Sequence, residues 1–202
     1  MTAERTIRAF LALDPPEEIL LEIGRIQDRL RKLIRGDLRW VRPEGIHLTL
    51  KFFGDVPENA VADISAVAGP AAAAVGPFEL AIGGAGVFPD PGRPRVVWLG
   101  MNGEVARLVT FQQALERALG ETGFPPEERP FRPHLTLGRV KSPKGLAGLT
   151  EALEKEKTVT TGSFTASGIS LFQSDLTPRG AVYTRLAGYL FAGPGGGVGT
   201  KT

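Results

Sequence analysis

The chain has no cysteine and only two histidines, two tryptophans and two tyrosines in 202 residues. Without cysteine there is no disulfide framework, no thiol nucleophile and no cysteine-ligated metal. Two histidines, with no Asp or Glu at ligand spacing from either, are too few for a metal centre. No Gly-x-Ser-x-Gly occurs, which removes the nucleophile elbow of a serine hydrolase. No apolar run approaches the length of a membrane span, and the first residues show no charged-then-apolar targeting pattern. The expectation is a cytoplasmic protein without membrane association. The net charge is only +2. A broad cationic face for a long duplex is therefore missing, whereas a local basic pocket remains compatible. Hydrophobic residues at 42% and charged residues at 23% are ordinary globular values, and the length suits one compact domain or two small lobes sharing a core.

What is present is a tetrapeptide that occurs twice. His47-Leu48-Thr49-Leu50 and His134-Leu135-Thr136-Leu137 lie 87 residues apart and contain both histidines of the chain. A second histidine followed by the same three residues arises by chance with odds on the order of one in a few thousand. Each copy reads as a strand. Ile46 to Phe52 alternates strictly, which predicts His47, Thr49 and Lys51 on one face and Leu48, Leu50 and Phe52 on the other. The second copy splits the same way, with Pro133 at the strand entry, where its missing N–H does least harm. Each strand should thus present an imidazole and a hydroxyl, about 7 Å apart, over an apolar layer.

Along the rest of the chain, Thr6 to Leu13 reads as a strand ended by Asp14-Pro15-Pro16. Asp14 followed by Pro15 predicts a capped helix entry. That helix runs to about Ile34 on a stripe of Ile19, Ile23, Ile26, Leu30 and Leu33, and Gly36-Asp37 stops it. Trp40 to Glu44 links into the first histidine strand, which Gly54-Asp55-Val56-Pro57 closes. Glu58 to Ala68 predicts a weaker helix; the alanines at 71–74 favour extending it, and Pro70 argues for a break. Phe78 to Val87 and Arg95 to Met101 read as antiparallel strands joined by a Pro/Gly loop. Within the first, Gly83-Gly84-Ala85-Gly86 looks like a phosphate loop but lacks a Lys-Ser/Thr partner, so a bulge or turn is expected. Glu104 to Leu119 is an amphipathic helix, Gly123 to Pro133 a loop, and Pro143 to Lys157 another helix. Phe164 to Phe172 and Ala181 to Ala187 form a closing strand pair. Residues 193–202 read as a disordered Gly-rich tail after a single bilobal domain of residues 1–192.

The order β-α-β-α-β-β-α-β-α-β-β, with several hairpins, predicts an α+β fold with antiparallel sheets. The simplest assembly is two pseudo-symmetric lobes whose sheets line a central cleft, with helices outside and the histidine strands facing each other. A single histidine on a strand is ordinarily structural, and Thr49 and Thr136 alone would be ordinary β-formers. Duplication with the same neighbours is what makes them candidates. Two facing imidazoles can divide a proton-transfer task, one accepting and one donating, as in-line displacement at phosphorus requires. Thr49 and Thr136 can then bond the non-bridging oxygens, and Arg139 can add a guanidinium contact. Lys51 is a candidate for the same role in the first half, and both cations also read as solvated charges. Trp40, Trp98 and the phenylalanines read as core.

His47-Leu48-Thr49-Leu50 followed by Lys51-Phe52-Phe53-Gly54, and Pro133-His134-Leu135-Thr136-Leu137 followed by Gly138-Arg139, resemble the paired His-x-Thr-x motifs of the two-histidine (2H) phosphoesterases. Within that superfamily the chain is most similar to the RNA 2',3'-cyclic phosphodiesterases, also called 2'-5' RNA ligases. Arg8-Ala9-Phe10-Leu11-Ala12-Leu13, Trp40, the segment Pro94 to Gly100 and Tyr183 fit as well, and the resemblance spans about Arg5 to Leu190. Phe172-Gln173-Ser174 departs from it, since Glu-Ser is the family pattern there. The resemblance implies a bilobal fold with a central site and neither metal nor cofactor. It implies hydrolysis of 2',3'-cyclic phosphate RNA ends, or small cyclic nucleotides, to 2'-phosphates. His47 would be the proton donor to the leaving 3'-oxygen and His134 the acceptor that activates water. Thr49, Thr136 and Arg139 would hold the phosphate, with Lys51, Phe52 and Tyr183 as candidate substrate contacts. The residues alone leave open which histidine is acid and which is base. They also leave open ligation through a 2'-5' bond, and a non-catalytic binder of phosphorylated RNA ends. A monomer is the default expectation.

Overall fold

A computed structural model describes residues 5–178 and 180–193. Strand β1 (Thr6–Leu13) leads to helix α1 (Glu17–Leu33), short strand β2 (Leu38–Trp40), a 3-10 turn at Pro43–Gly45, and strand β3 (Leu48–Pro57). Helix α2 (Ala60–Ala73), strands β4 (Phe78–Phe88) and β5 (Val96–Gly103), helix α3 (Val105–Glu121) and strand β6 (His134–Val140) follow. The chain ends through α4 (Leu149–Lys155), β7 (Phe164–Ala166), β8 (Gly168–Thr177) and β9 (Gly180–Leu190). The strands form two antiparallel sheets, ordered β3-β1-β8-β9 and β2-β6-β5-β4-β7.

The α+β, two-lobed architecture is as expected from the sequence, but the lobes are not the two halves of the chain. In each lobe a histidine strand pairs with the strand that precedes a long helix, β3 with β1 and β6 with β5. That helix crosses over. α2 lies against β3, β8, β9 and α3, while α4 lies against β4 and α1. Helices α2 and α3 therefore back the first sheet, and α1 and α4 back the second. The closing segment also divides: β7 joins β4 in the second sheet, and β8 joins β1 and β9 in the first. One strand expected from Phe164 to Phe172 is thus two, broken at Ser167 where the chain changes lobes.

Helix α1 buries Ile19, Ile23, Ile26 and Leu30 on one stripe, with Glu17 and Glu18 in its first turn and Arg31 and Lys32 in its last, matching its dipole. Its entry differs from expectation. Pro16 is the cap, and Asp14 instead accepts a 2.8 Å bond from Ser170 Oγ on β8. Pro70 lies inside α2 without ending it, because buried Ala68 and Ala72 pack on both sides of it and Ala74 N–H bonds Pro70 O at 3.1 Å. The helix expected from Pro143 shrinks to α4. Gly145 and Gly148 adopt left-handed φ of 76° and 75°, and Ala147 bridges to Arg35 instead. Gly84, also left-handed, is the extra residue in the β4–β5 ladder, so the glycine cluster is a bulge. Among the described residues no helix is long and apolar enough to cross a membrane. The Gly-rich tail lies outside the described residues from 194 onward; Gly193 itself donates its N–H to Val75 O at 3.0 Å.

Candidate active site

The two copies of His-Leu-Thr-Leu fold alike. Leu48 and Leu135 are fully buried, each contributing about 2–3 kcal/mol of apolar burial. The ladder between β1 and β3 pairs Leu11 with Lys51 and Ala12 with Thr49, so Leu50 is an extra residue. Between β5 and β6, Val97 pairs with Gly138 and Trp98 with Thr136, so Leu137 is the extra residue. Each histidine strand therefore carries a β-bulge at the fourth position of its motif. A bulge resets the inside–outside alternation.

That reset corrects one expected contact. Strict alternation puts Lys51 beside His47; instead Lys51 follows buried Leu50 into the interior and is 2% exposed. Its Nζ donates to Glu116 Oε1 and to Pro125 O, both at 2.5 Å. Phe52 takes the outward position, 38% exposed, with the Arg8 guanidinium 4.5 Å from its ring centroid. In the second lobe the same reset turns Arg139 outward on the side of His134 and Thr136. Its charge acts on His134, on His47 and on Tyr183. A guanidinium borne by one lobe thus reaches the rings of the other, and residues of β3 and β6 come within 8 Å at their Cα atoms. The two histidine sites adjoin.

Each imidazole is oriented by the backbone two residues upstream. His47 Nδ1 lies 2.9 Å from Gly45 O, and His134 Nδ1 lies 2.7 Å from Arg132 O. A carbonyl only accepts, so in both rings Nδ1 carries the hydrogen and Nε2 is left for chemistry. Among the described residues neither the Thr49 nor the Thr136 hydroxyl is engaged, and Arg139 forms no salt bridge. No group of three or more His, Asp or Glu side chains gathers among them as a metal centre would need.

Around His47 the walls are aromatic. Phe10 stacks on the imidazole at 4.6 Å, Phe172 stacks behind at 6.3 Å, and Tyr183 stands edge-on at 5.0 Å. Tyr183 can close in because Gly45 has no side chain; a Cβ there would sit 3.3 Å from the ring. Burial pulls the His47 pKa down to about 4, the Gly45 carbonyl working against it and Arg139 adding to it. His134 meets Phe88 edge-on at 4.9 Å and Trp98 at 6.5 Å. The Trp98 ring occupies the space over Gly86, where a Cβ would lie 2.2 Å from it. Burial lowers the His134 pKa too, with the Arg132 carbonyl opposing and Arg139 assisting. Burial raises the Tyr183 hydroxyl above its usual range. Phe10, Phe172, Phe88 and Trp98 read from the sequence as core; they are the walls of the imidazoles, and only their cross-strand placement reveals it. Gln173 Nε2 bonds Asp175 at 2.9 and 3.1 Å.

Two crossed-over lobes, each with an imidazole oriented through Nδ1 and both imidazoles within the field of Arg139, define a bilobal two-histidine protein. The chain belongs to the 2'-5' RNA ligase superfamily, whose family model matches residues 15–178. It is 43% identical over 178 residues to the RNA 2',3'-cyclic phosphodiesterase of Methanothermobacter thermautotrophicus, spanning 88% of this chain and 95% of that protein. With the RNA 2',3'-cyclic phosphodiesterase of Aquifex aeolicus it shares 31% identity over 190 residues, 94% of this chain and 100% of that one. Among solved structures it is similar to TT0787 of Thermus thermophilus, with a TM-score of 0.76 at 29% identity over 93% of this chain and 99% of that one. Escherichia coli LigT complexed with 3'-AMP matches with a TM-score of 0.72 at 28% identity, over 93% and 99% of the two chains.

Proposed function

We propose that this protein is an RNA 2',3'-cyclic phosphodiesterase that hydrolyses 2',3'-cyclic phosphate ends to 2'-phosphomonoesters by metal-independent acid–base catalysis. The observation that carries the reading is the pair of imidazoles held identically through Nδ1, with both Nε2 atoms available. His134 takes a proton from water as its oxygen attacks phosphorus; the bond to the 3'-oxygen breaks, and His47 protonates that oxygen. The Thr49 and Thr136 hydroxyls and the Arg139 guanidinium hold the non-bridging oxygens, where charge accumulates. The donor and acceptor roles follow the family resemblance. In the free site burial keeps both rings neutral near pH 7. A proton on His47 therefore has to be stabilised by the bound phosphodiester, whose negative charge also offsets that of Arg139. A net charge of +2 suits contact with a terminus better than with a long strand.

The test is incubation with a 2',3'-cyclic mononucleotide, with and without EDTA, and identification of the product isomer. A 2'-phosphate formed equally in both is the expected result. Loss of turnover in EDTA overturns the metal-independent mechanism, a 3'-phosphate reverses the choice of leaving oxygen, and no product leaves a phosphate-end binder.

A further inference from the structure

Both histidine strands are gripped at the bulge by a buried glutamine. Gln27 on α1 is 1% exposed, and its Nε2 donates to Leu137 O at 3.0 Å and to Val41 O at 2.7 Å. Gln112 on α3 is 6% exposed, and its Nε2 donates to Leu50 O at 3.1 Å and to Glu116 Oε2 at 3.2 Å. Leu50 and Leu137 are the residues skipped by the β1–β3 and β5–β6 ladders. The same amide meets the same backbone atom at the same irregularity in each lobe. The local sequences repeat as well: Ile26-Gln27-Asp28-Arg29-Leu30 and Phe111-Gln112-Gln113-Ala114-Leu115 each set a glutamine after an apolar residue and three before a leucine.

A bulge that slips by one residue sends every following side chain to the other face of its sheet. Here such a slip would exchange Arg139 with its neighbours and disturb the spacing of each His–Thr pair. A buried primary amide is costly unless its hydrogens are used; here one hydrogen of each amide goes to the bulge carbonyl and the other to Val41 O or Glu116 Oε2. The grip also crosses lobes. α1 runs from β1 toward His47 through Val41, yet holds the strand of His134; α3 runs from β5 toward His134, yet holds the strand of His47.

We propose that Gln27 and Gln112 are positioning residues for the two-histidine reaction. By pinning the bulges at Leu137 and Leu50 they set His134–Thr136 and His47–Thr49 against a common phosphorus. The reactive role rests on the cyclic phosphodiesterase reading above. A displacement of about 1 Å at reacting groups costs on the order of 10²-fold in rate.

Gln27→Met and Gln112→Met keep the bulk and lose the donor. Each should lower kcat for a 2',3'-cyclic mononucleotide about 10- to 100-fold with KM changed less than about threefold, at a temperature where circular dichroism shows the fold intact. Gln27→Glu and Gln112→Glu can still donate while protonated. Their kcat, taken relative to wild type at each pH, should exceed that of the Met variants in acid and decline as the carboxyl ionises. Because the chain has two histidines, imidazole NMR supplies a readout free of activity. Gln112→Met should shift the His47 ring signals and titration and leave those of His134, and Gln27→Met should do the converse. Folded Met variants with kcat within about twofold of wild type and unmoved imidazole signals overturn the proposal. If the Met variants do not fold, a pH-independent ratio in the Glu variants overturns it. A wild type that turns over no cyclic phosphate refutes the function, while the imidazole shifts still decide the positioning.

Discussion

The lobe bearing His47 and the lobe bearing His134 repeat one device and differ in its surroundings. Both have an imidazole tied through Nδ1 to a carbonyl, a threonine two residues on, and a bulge at the leucine after that. After the bulge they diverge. Lys51 in one lobe corresponds to Gly138 in the other, and Phe52 to Arg139. Beside Thr49 the neighbouring strand offers Ala12, and beside Thr136 it offers Trp98. His47 is stacked on Phe10 and held near pKa 4, whereas among the described residues His134 meets Phe88 and Trp98 edge-on. The repeat supplies two imidazoles oriented alike, and the departures from it set the Arg139 charge beside both rings and give the two rings unlike surroundings. In the proposed reaction these unlike surroundings bias which ring carries the proton.

The largest effects should come from the histidines themselves. His47→Gln and His134→Gln should each lower kcat by about 10²- to 10⁴-fold, the range general acid–base catalysis supplies. Their pH profiles separate the roles. The acceptor must be neutral, so its ionisation shapes the acid limb; the donor must be charged, so its ionisation shapes the alkaline limb. His134→Gln should flatten the former and His47→Gln the latter, and the opposite pattern would interchange the assignments. In the wild type both free-site pKa values are lowered by burial, so kcat/KM should peak on the acid side of pH 6.5. The kcat profile should lie at higher pH, because the bound anion favours both charged rings.

Arg139 tests whether one guanidinium serves both lobes. Arg139→Ala should cost about 10²-fold in kcat/KM through the lost contact to phosphate. It should also raise the NMR titration midpoints of both histidines, since the Arg139 charge lowers each. Arg139→Lys should restore the midpoints while recovering only part of the rate, because an ammonium lacks the planar fork. A midpoint change confined to His134 would break the idea of a shared cation.

Much of this site is legible in the sequence because it is local. A doubled tetrapeptide needs no fold to be noticed, and the isoleucine stripe of α1 declares its buried face. What stays hidden is whatever depends on partners distant in the chain. Leu50 and Leu137 carry no bulge signal of their own; the neighbouring strand's register skips them, and Gln27 and Gln112 hold them from helices 110 and 62 residues away in sequence. The exchange of helices between lobes is likewise invisible, since periodicity tells which face of α1 is buried and not against which sheet. The left-handed Gly145 and Gly148 that cut short α4, and the packing that carries α2 through Pro70, belong with these long-range effects.

Lys51 marks the point where strand periodicity and the observed register part, and it should have the smallest effect on the reaction. Removing an exposed phosphate-binding lysine raises KM, adds no stability cost and weakens salt dependence. Removing this one leaves Glu116, whose side chain is 14% exposed, without its cation. Lys51→Met should therefore destabilise the fold by about 3 kcal/mol, the range for breaking a buried pair, while KM for a cyclic mononucleotide stays within about twofold of wild type. Denaturant unfolding and steady-state kinetics on the same sample measure both. A raised KM with unchanged stability would return Lys51 to the cleft and mean that the bulge at Leu50 does not persist in solution. The lobes would then be alike where the structure makes them different, with a cation on each side of the phosphate.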